Sequence, residues 1–370
     1  MTIGVSAIGV SQDAPADTGD FYTQLLFCMC RRHPEHTFLF FFDRPVPPAL
    51  SLPGNARPVV VPLKGPAVWR RQWWLQWQLP RALKQHRVEL FLGMDGLLPL
   101  RSKVPAFLFL KDLSFLQPVA GIPRRWQEFY RKETVKYIAR AEKVGIPAAH
   151  LQQPLLNYAP AAAGKMQLIP PGLHNSYRPL DWEKREAVKK QYTGGTEYFI
   201  VTGALDPRNN IMPLLKAFSA LKRRQRSNIK LVLAGSVTPA GQEIAGSLQT
   251  YKFRQDVVWL PNPDQPSLAN LVAGAYGMVY TSRLEGVALP VYAAVQCQVP
   301  VIAIDGPAAR EAGKDALLYV NPGNLGDLAE KLSQLYKDEV LRSSLLRQMA
   351  ELPLPGTWDE SAAALEEVLQ

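Results

Sequence analysis

The chain has 370 residues, 47% of them apolar and 20% charged, which suits an ordinary soluble protein of two domains. Its three cysteines, Cys28, Cys30 and Cys297, are odd in number and lack metal-ligand spacing. This argues against a disulfide framework or a zinc site and favours a reducing compartment. No run approaches the roughly 18 apolar residues of a membrane span.

The positive charge lies in one half of the chain. Residues 1–170 contain 21 Lys and Arg against 11 Asp and Glu, whereas residues 171–370 contain 21 of each, so the net charge of +10 belongs to the first half. We therefore expect an anionic partner for that half. The N-terminus, "MTIGVSAIGVSQD", has no basic region before its apolar run and predicts a first strand rather than a signal peptide, hence a cytoplasmic protein.

Short apolar runs alternate with helix-like stretches along the whole chain. In the first half, strands are predicted at 2–10, 37–42, 57–62, 88–93, 104–110 and 166–169, and helices at 19–32, 69–86 and 122–141. In the second half, strands are predicted at 197–203, 229–235, 256–260, 276–281, 299–304 and 316–320, with helices near 210–226, 240–251, 266–273, 288–296 and 324–336. This alternation is typical of parallel sheets and predicts an α/β protein with two doubly wound domains.

A turn-rich segment, "LIPPGLHNSYRP" at 168–179, marks the predicted boundary. We expect domains at 1–170 and 171–350, and a C-terminal helix within 351–370 that packs back on the first domain. In doubly wound sheets ligands bind outside the carboxyl ends of the strands, so a site is expected in a cleft between the two domains.

The stretch "FIVTGALDPRNNIMPLLKAF" predicts a strand that ends at Gly203, a short loop, and a helix that starts near Asn210. Arg208 in this loop lies where a diphosphate could approach free helix amides and a forked guanidinium. An ordinary strand–helix connection with a solvated Arg explains the same residues, and the sequence does not decide between the two.

The stretch "TSRLEGVALPVYAAV" places one acid, Glu285, between a strand and a helix. The first amides of that helix, at Gly286, Val287, Ala288 and Leu289, lack internal acceptors and could bind a phosphate, while the carboxylate could accept from sugar hydroxyls. The alternative is a glutamate that caps the helix.

Together these stretches resemble the donor half of the family-four retaining glycosyltransferases, which have the GT-B fold. "GALDPRNNIMPLLKAF" is similar to the family pattern "G.L.PRKN…LL.AF", and "SRLEGVALPVYAAVQCQVPVIA" to "S..EGFGLP.LEAMA.G.PVI". "LIPPGLHNSYRP" resembles the family hinge, "DTGDFYTQLL" its glycine-containing first loop, and "VPAFLFLKDLSFL" its "P.V.T.HDL.F" stretch.

The resemblance implies a role for each matching position. Glu285 would hold the donor sugar, Gly203, Arg208 and Asn209 the diphosphate region, Gly19 the first loop, and Lys111 and Asp112 the reacting centre. Several positions depart from the pattern: the second family glutamate, which holds the ribose, is Ala293, the family Lys after Arg is Asn209, and the family His is Lys111. Losing a ribose acceptor costs about 1.5–3 kcal/mol of binding.

The implied function is transfer of a hexose from a nucleotide-sugar to a saccharide or lipid-linked glycan with retained configuration, as in polysaccharide biosynthesis. The nucleotide-sugar is the substrate; neither a cofactor nor a metal is implied, because the family binds the diphosphate with amides and cations. The departures leave open a catalytically impaired relative that acts as a binding or scaffold protein. A nucleotide-sugar epimerase of GT-B fold is a weaker alternative.

The basic half contains a tryptophan-rich stretch, "WRRQWWLQWQLPRALKQHR" at 69–87. At helical spacing Trp69, Trp73 and Trp77 share one face, with Trp74 beside it. Core packing explains such a stripe, and so does an interfacial helix on anionic lipid, which would make the protein peripheral to the cytoplasmic membrane face. No nucleic-acid recognition motif accompanies the charge, and the sequence does not determine the oligomeric state.

Overall fold

The structure is a computed structural model that describes residues 1–8, 16–46, 50–65, 67–118, 122–324 and 326–367, without the side chains of 16–20. The chain divides into two compact units. Unit 1 comprises residues 1–14, 18–172 and 356–370, and unit 2 comprises residues 15–17 and 173–355.

Unit 1 is built on a seven-stranded parallel sheet. Its strands are β1 (Thr2–Ser6), β2 (Thr37–Phe42), β3 (Ala56–Val60), β4 (Leu90–Gly93), β5 (Ala106–Phe109), β6 (Lys143–Ile146) and β7 (Met166–Leu168). Their order in the sheet is β3-β2-β1-β4-β5-β6-β7, and every neighbouring pair is parallel. The order reverses between β1 and β4, as in doubly wound folds. Because helices cover both faces, the strands are almost continuously apolar: β5, with sequence AFLF, is wholly buried.

The helices of unit 1 include the last one in the chain. They are α1 (Ala16–Arg32), α2 (Val68–Trp73), α3 (Leu79–Gln85), α4 (Arg124–Arg140), α5 (Gln152–Tyr158) and α14 (Trp358–Glu366). The α14 helix starts with a capping box of Thr357 and Glu360. Its first residue, Trp358, packs edge-on against Phe21 with 5.4 Å between ring centroids, and Ser361 donates to the carbonyl of Pro170 over 2.7 Å. The C-terminal segment of unit 1 thus begins at 356, five residues after the predicted start.

Unit 2 has a six-stranded parallel sheet. Its strands are β8 (Tyr198–Thr202), β9 (Lys230–Ala234), β10 (Val257–Leu260), β11 (Gly277–Tyr280), β12 (Val301–Ile304) and β13 (Leu318–Val320). They follow the order β10-β9-β8-β11-β12-β13. Its helices are α6 (Trp182–Thr193), α7 (Ile211–Gln225), α8 (Gln242–Thr250), α9 (Gln265–Ala273), α10 (Leu289–Gln296), α11 (Pro307–Gly313), α12 (Asp327–Lys337) and α13 (Glu339–Ala350). One apolar cluster lies on each face of the sheet.

The predicted alternation of strands and helices is confirmed, with omissions at short or polar segments. The strand β6 reads KVGI and was not predicted, since one Lys and one Gly in four residues hide the apolar signal. The helices α6 and α13 were not predicted because at least half of the residues in each are polar. Their ends carry clear signals, such as the capping side chain of Asp181, which accepts from the amide of Lys184.

Most rings of the tryptophan-rich stretch do not pack in the core, which was one of the two explanations for the stripe. Trp74 is fully buried and its indole donates to the carbonyl of Val61 over 2.6 Å. Trp69, Trp73 and Trp77 are 67%, 49% and 41% exposed, so core packing is wrong for three of the four rings. No helix among the described residues is long and apolar enough to cross a membrane.

Candidate functional site

In unit 2 the strand order reverses between β8 and β11, so the loops after these two strands leave the sheet side by side at its carboxyl edge. The side-chain amide of Asn210 donates to the carbonyl of Thr281 over 2.8 Å, and the hydroxyl of Thr281 donates to the carbonyl of Asn209. These bonds join the two loops that carry Gly203, Arg208 and Glu285. The structure therefore brings Gly203, Arg208, Asn209 and Glu285 to one edge.

A buried carboxylate, Asp206, organises the loop after β8. It accepts from the amide of Arg208 over 2.9 Å, from the guanidinium Nε and Nη2 over 2.8 and 3.1 Å, and from the hydroxyl of Thr238 over 2.9 Å. Asp206 thus engages one fork of the guanidinium, Nε and Nη2, and this pair stabilises the loop. The diphosphate role predicted for Arg208 would use the other N–H groups of the guanidinium, and it stays a prediction.

Two glycines let the loops after β8 and β9 pack backbone against backbone. Gly203 and Gly235 both have positive φ, +107° and +154°. A Cβ at Gly235 would lie 2.2 Å from the carbonyl oxygen of Gly203, a separation that no side chain can adopt. Gly203 therefore serves the geometry of the loop through its backbone.

Asp206 predicts a pH-dependent stability. Burial alone raises the pKa of a carboxyl, but the bonds from Arg208 and Thr238 outweigh it and hold the pKa of Asp206 below its ordinary value of 3.8. The stabilisation is therefore present above that value and is lost as the pH falls through the lower, folded pKa. We expect Asp206→Asn to lower the free energy of unfolding at pH 7 by about 1–3 kcal/mol.

Urea unfolding of both proteins from pH 7 down to the acid limit of folding measures this difference, which should shrink in acid. Asp315→Asn, at a carboxylate whose side chain is 99% exposed, is the matched control and should change little. A constant difference at every pH would contradict an ionised Asp206 as its source.

Asn209 and the start of α7 complete this side of the edge. The side-chain amide of Asn209 donates to the carbonyl of Ala204 over 2.8 Å, and this bond stabilises the loop. Asn210 has φ +48° and precedes α7 without capping it by its side chain. The start of α7 therefore presents backbone amides at the edge of the sheet.

Glu285 lies in the loop after β11. Its carboxylate Oε2 accepts from the hydroxyl of Tyr280 over 2.8 Å, which orients it from the last residue of the strand. The N-cap of α10 is Ala288, which has no side-chain acceptor for the first amides. Among the described residues, the amides of 286–289 donate to no backbone carbonyl. A carboxylate and a set of amides without backbone acceptors among the described residues thus lie next to each other.

The side chain of Ala293 is buried, and the ribose position that the resemblance assigns to it stays a prediction. It is 3% exposed and belongs to the apolar cluster that packs α10 against the sheet. Its side chain therefore points into the core of unit 2 and gives no sign of an open ribose position. The sequence aligns Ala293 with a ligand position, but only packing decides which way the side chain points.

In unit 1 the corresponding reversal lies between β1 and β4. The carboxylate of Asp95, just after β4, accepts from the amide of Ile8 over 3.0 Å, and the amide of Asp95 donates to the hydroxyl of Ser6 over 3.3 Å. Asp112, after β5, accepts from the amide and the hydroxyl of Ser114 over 2.9 and 2.6 Å. Lys111 beside it is exposed. Lys111 and Asp112 thus share the carboxyl edge of the unit 1 sheet with Asp95.

Tyr22 reaches the same region from α1. Its hydroxyl is buried and has no hydrogen-bond partner among the described residues. Burial raises the pKa of Tyr22, and the charges of Asp112 and Asp95 raise it further, so the ring remains a neutral donor beside two carboxylates. The backbone of Gly19 belongs to the start of α1, and residues 9–15 lie outside the described residues.

Sequence reasoning missed five polar residues of these edges: Tyr22, Asp95, Asp206, Thr238 and Tyr280. Asp95 and Asp206 follow predicted strands within a few residues, a signal that could have identified them. The described residues include one cluster of potential metal ligands, formed by His33, Glu35 and His36. It lies in the turn before β2 and includes none of the residues named above for the two sheet edges. Its three side chains already pair with one another.

Comparison with known proteins agrees with this fold. Residues 183–351, within unit 2, match the family model described as glycosyl transferases group 1. The structure is similar to sucrose-phosphate synthase from Thermosynechococcus elongatus, with a TM-score of 0.77 and 17% identity over 100% of this chain and 98% of the other. It is also similar to Anabaena HepE in complex with UDP and glucose, with a TM-score of 0.72 and 13% identity over 100% and 98% of the two chains.

The chain has the GT-B fold. A relative in sequence is the O-antigen chain mannosyltransferase B of Escherichia coli, 23% identical over 286 residues, which are 74% of this chain and 70% of the relative. These likenesses and the match in unit 2 support a glycosyltransferase of group 1.

Proposed function

We propose that this GT-B protein is a retaining hexosyltransferase that moves a sugar, with mannose as the leading candidate, from a nucleoside-diphosphate donor to a glycan acceptor during polysaccharide synthesis. The observation that carries the proposal is Glu285 next to the open amides of 286–289, where the strand order of unit 2 reverses. The name of the mannosyltransferase relative supports the choice of sugar and of pathway type.

Each part of the donor matches a group at this edge. The carboxylate of Glu285 offers two acceptor oxygens to sugar hydroxyls, and the hydroxyl of Tyr280 keeps it oriented. The amides that lead into α10, and the start of α7 beside them, face the diphosphate with the positive ends of two helix dipoles. In this proposal an anion binds to the backbone amides, and no charged side chain is needed to hold it.

In the proposed reaction the bond between the anomeric carbon and the diphosphate oxygen breaks, and the acceptor hydroxyl forms the new bond on the same face. The nucleoside diphosphate leaves with the electron pair, and its departing oxygen takes the proton from the acceptor hydroxyl. Its developing negative charge is stabilised by amides that are already oriented, so little reorganisation is needed in the transition state. The resemblance assigns the diphosphate to amides and cations, so the reaction needs no divalent metal.

Binding of nucleotides tests the donor site directly. Because Arg208 is engaged by Asp206 and no carboxylate stands at Ala293, we expect weak binding of a nucleoside diphosphate, with Kd from tens of micromolar to millimolar. Titration calorimetry should compare UDP, GDP and ADP, their sugar derivatives, and the corresponding monophosphates and nucleosides.

Within the preferred base, the diphosphate should bind more tightly than the nucleoside because the helix amides act on the phosphates. Equal binding of nucleoside and diphosphate would remove the assigned phosphate site. If none of these compounds gives a heat of binding at several millimolar, unit 2 has no donor site and the proposed function is wrong.

A further inference from the structure

Three tryptophans form a row on the surface of unit 1. Trp69, Trp73 and Trp77 are 67%, 49% and 41% exposed, whereas tryptophans of folded proteins are on average largely buried. They account for three of the large hydrophobic side chains that unit 1 exposes. Contiguous exposed apolar surface of this kind marks an interaction site.

The local backbone keeps these rings in one row. The helices α2 and α3 are joined without a break by a π-helical turn, Trp74–Gln78. Pro80 in the following turn has no amide to donate and would clash with a carbonyl one turn earlier, and the wider turn accommodates it. The result is that every fourth residue, at 69, 73, 77 and 81, faces solvent, while Trp74, Leu75 and Leu79 fill the core.

Cations surround the row, and no acid interrupts it. Residues 69–87 contain Arg and Lys at five positions and no Asp or Glu. The guanidinium of Arg101 stacks 3.7 Å from the ring centroid of Trp77, and that of Arg70 lies 5.1 Å from the ring centroid of Trp69. Arg81, Lys84 and Arg87 are exposed, whereas Arg71 pairs with the buried Asp43 over 2.9 Å and is not part of the surface.

A second basic helix adjoins this face. The side-chain amide of Gln72 donates to Glu133 of α4 over 3.0 Å, which places α4 beside α2. The carboxylate of Glu133 is also paired with Lys136 over 2.6 Å, so it does not offset the free cations of the row. Exposed cations of α4 extend the positive surface: Arg125, Arg131 and Lys132, whereas Arg124 and Lys136 pair with Glu128 and Glu133.

We propose that the row Trp69, Trp73 and Trp77, with Arg70, Arg81, Lys84 and Arg101 around it, docks the protein on an anionic lipid bilayer. Indole rings are stable at the level of the headgroups because they are apolar with one polar group, and the cations attract anionic headgroups. A neutral glycan could stack on the rings but would leave the cations unused. An apolar protein partner would gain nothing from a positive rim. This inference goes beyond the proposed function and does not depend on it.

Co-sedimentation with vesicles tests the proposal. The full chain should pellet with vesicles of equal parts phosphatidylcholine and phosphatidylglycerol and remain in the supernatant with phosphatidylcholine alone. Combined replacement Trp69→Ala, Trp73→Ala and Trp77→Ala should weaken binding at least about tenfold, because the apolar part of the contact is lost. Trp182→Ala is the matched control: it removes a ring of unit 2 that is 72% exposed and should change nothing.

The charges are tested in the same assay. Arg81→Glu with Lys84→Glu should weaken binding by roughly tenfold or more, and rising salt should release the wild type, since the attraction is screened within a few ångströms near 1 M. Lys190→Glu with Lys216→Glu, two exposed lysines of unit 2, changes the net charge equally and should have little effect.

Melting temperatures close to that of the wild type should show that all variants fold, because every replaced side chain is exposed. Two results would overturn the proposal: equal sedimentation with neutral and anionic vesicles, or undiminished binding of the triple tryptophan variant. Binding of the row to a soluble glycan or protein, without binding to anionic vesicles, would overturn it as well.

Discussion

Glu285→Gln should lower the rate of sugar transfer by about 10²–10³-fold, the effect of removing one group that stabilises a transition state. The amide keeps the size of the side chain and one acceptor oxygen, but it loses the charge that faces the donor sugar. Binding of the nucleoside diphosphate should change less than about threefold, because the amides of 286–289 are backbone groups that this substitution leaves in place.

The measurement is single-turnover transfer from a radiolabelled nucleotide-sugar, with calorimetry of the diphosphate alongside. Tyr280→Phe removes the 2.8 Å hydrogen bond that orients Glu285 and should have a smaller effect in the same direction. Glu243→Gln, at an exposed glutamate of α8, is the matched control and should transfer at the wild-type rate. Wild-type transfer by Glu285→Gln would show that the carboxylate has no part in the reaction.

Ala293→Glu should destabilise the protein by about 3–5 kcal/mol at pH 7, because an unpaired carboxylate would enter an apolar cluster. For a unit of this size, that corresponds to a melting temperature lower by about 10 °C. Burial would raise the pKa of the new carboxyl, so the loss should be smaller in mild acid, where the side chain is neutral.

Gln296→Glu introduces the same charge in the last turn of α10 at a partly exposed position and should cost much less. Calorimetric melting of the three proteins at pH 5 and pH 7 gives the comparison. The family resemblance implies a different result, in which Ala293→Glu restores a ribose ligand and tightens nucleotide binding by roughly tenfold. A variant that melts normally and binds more tightly would show that the side chain at 293 can reach the edge of the sheet.

The pattern of apolar and polar residues was enough to predict the fold class and most of the helices and strands. Parallel strands buried on both faces are nearly continuous apolar runs, and this signal is local, so all six strands of unit 2 were predictable. Strand β6 was not, because four residues with a Lys and a Gly take their strand conformation from the neighbours β5 and β7. The sequence also predicted that Glu285 lies just before helix α10, because only three residues separate the two.

The orientation of the side chains depends on packing and could not be predicted from the sequence pattern. Arg208 is engaged by Asp206, two residues away, because Thr238 and the backbone of the loop hold that carboxylate in place. Ala293 is buried because α10 turns that face to the sheet, and a motif match cannot register this. The regular helical period placed Trp69, Trp73 and Trp77 on one face, but it did not say whether that face is buried. The row is exposed because the opposite face, with Trp74, Leu75 and Leu79, fills the core. In each case packing between segments distant in the chain determined the outcome.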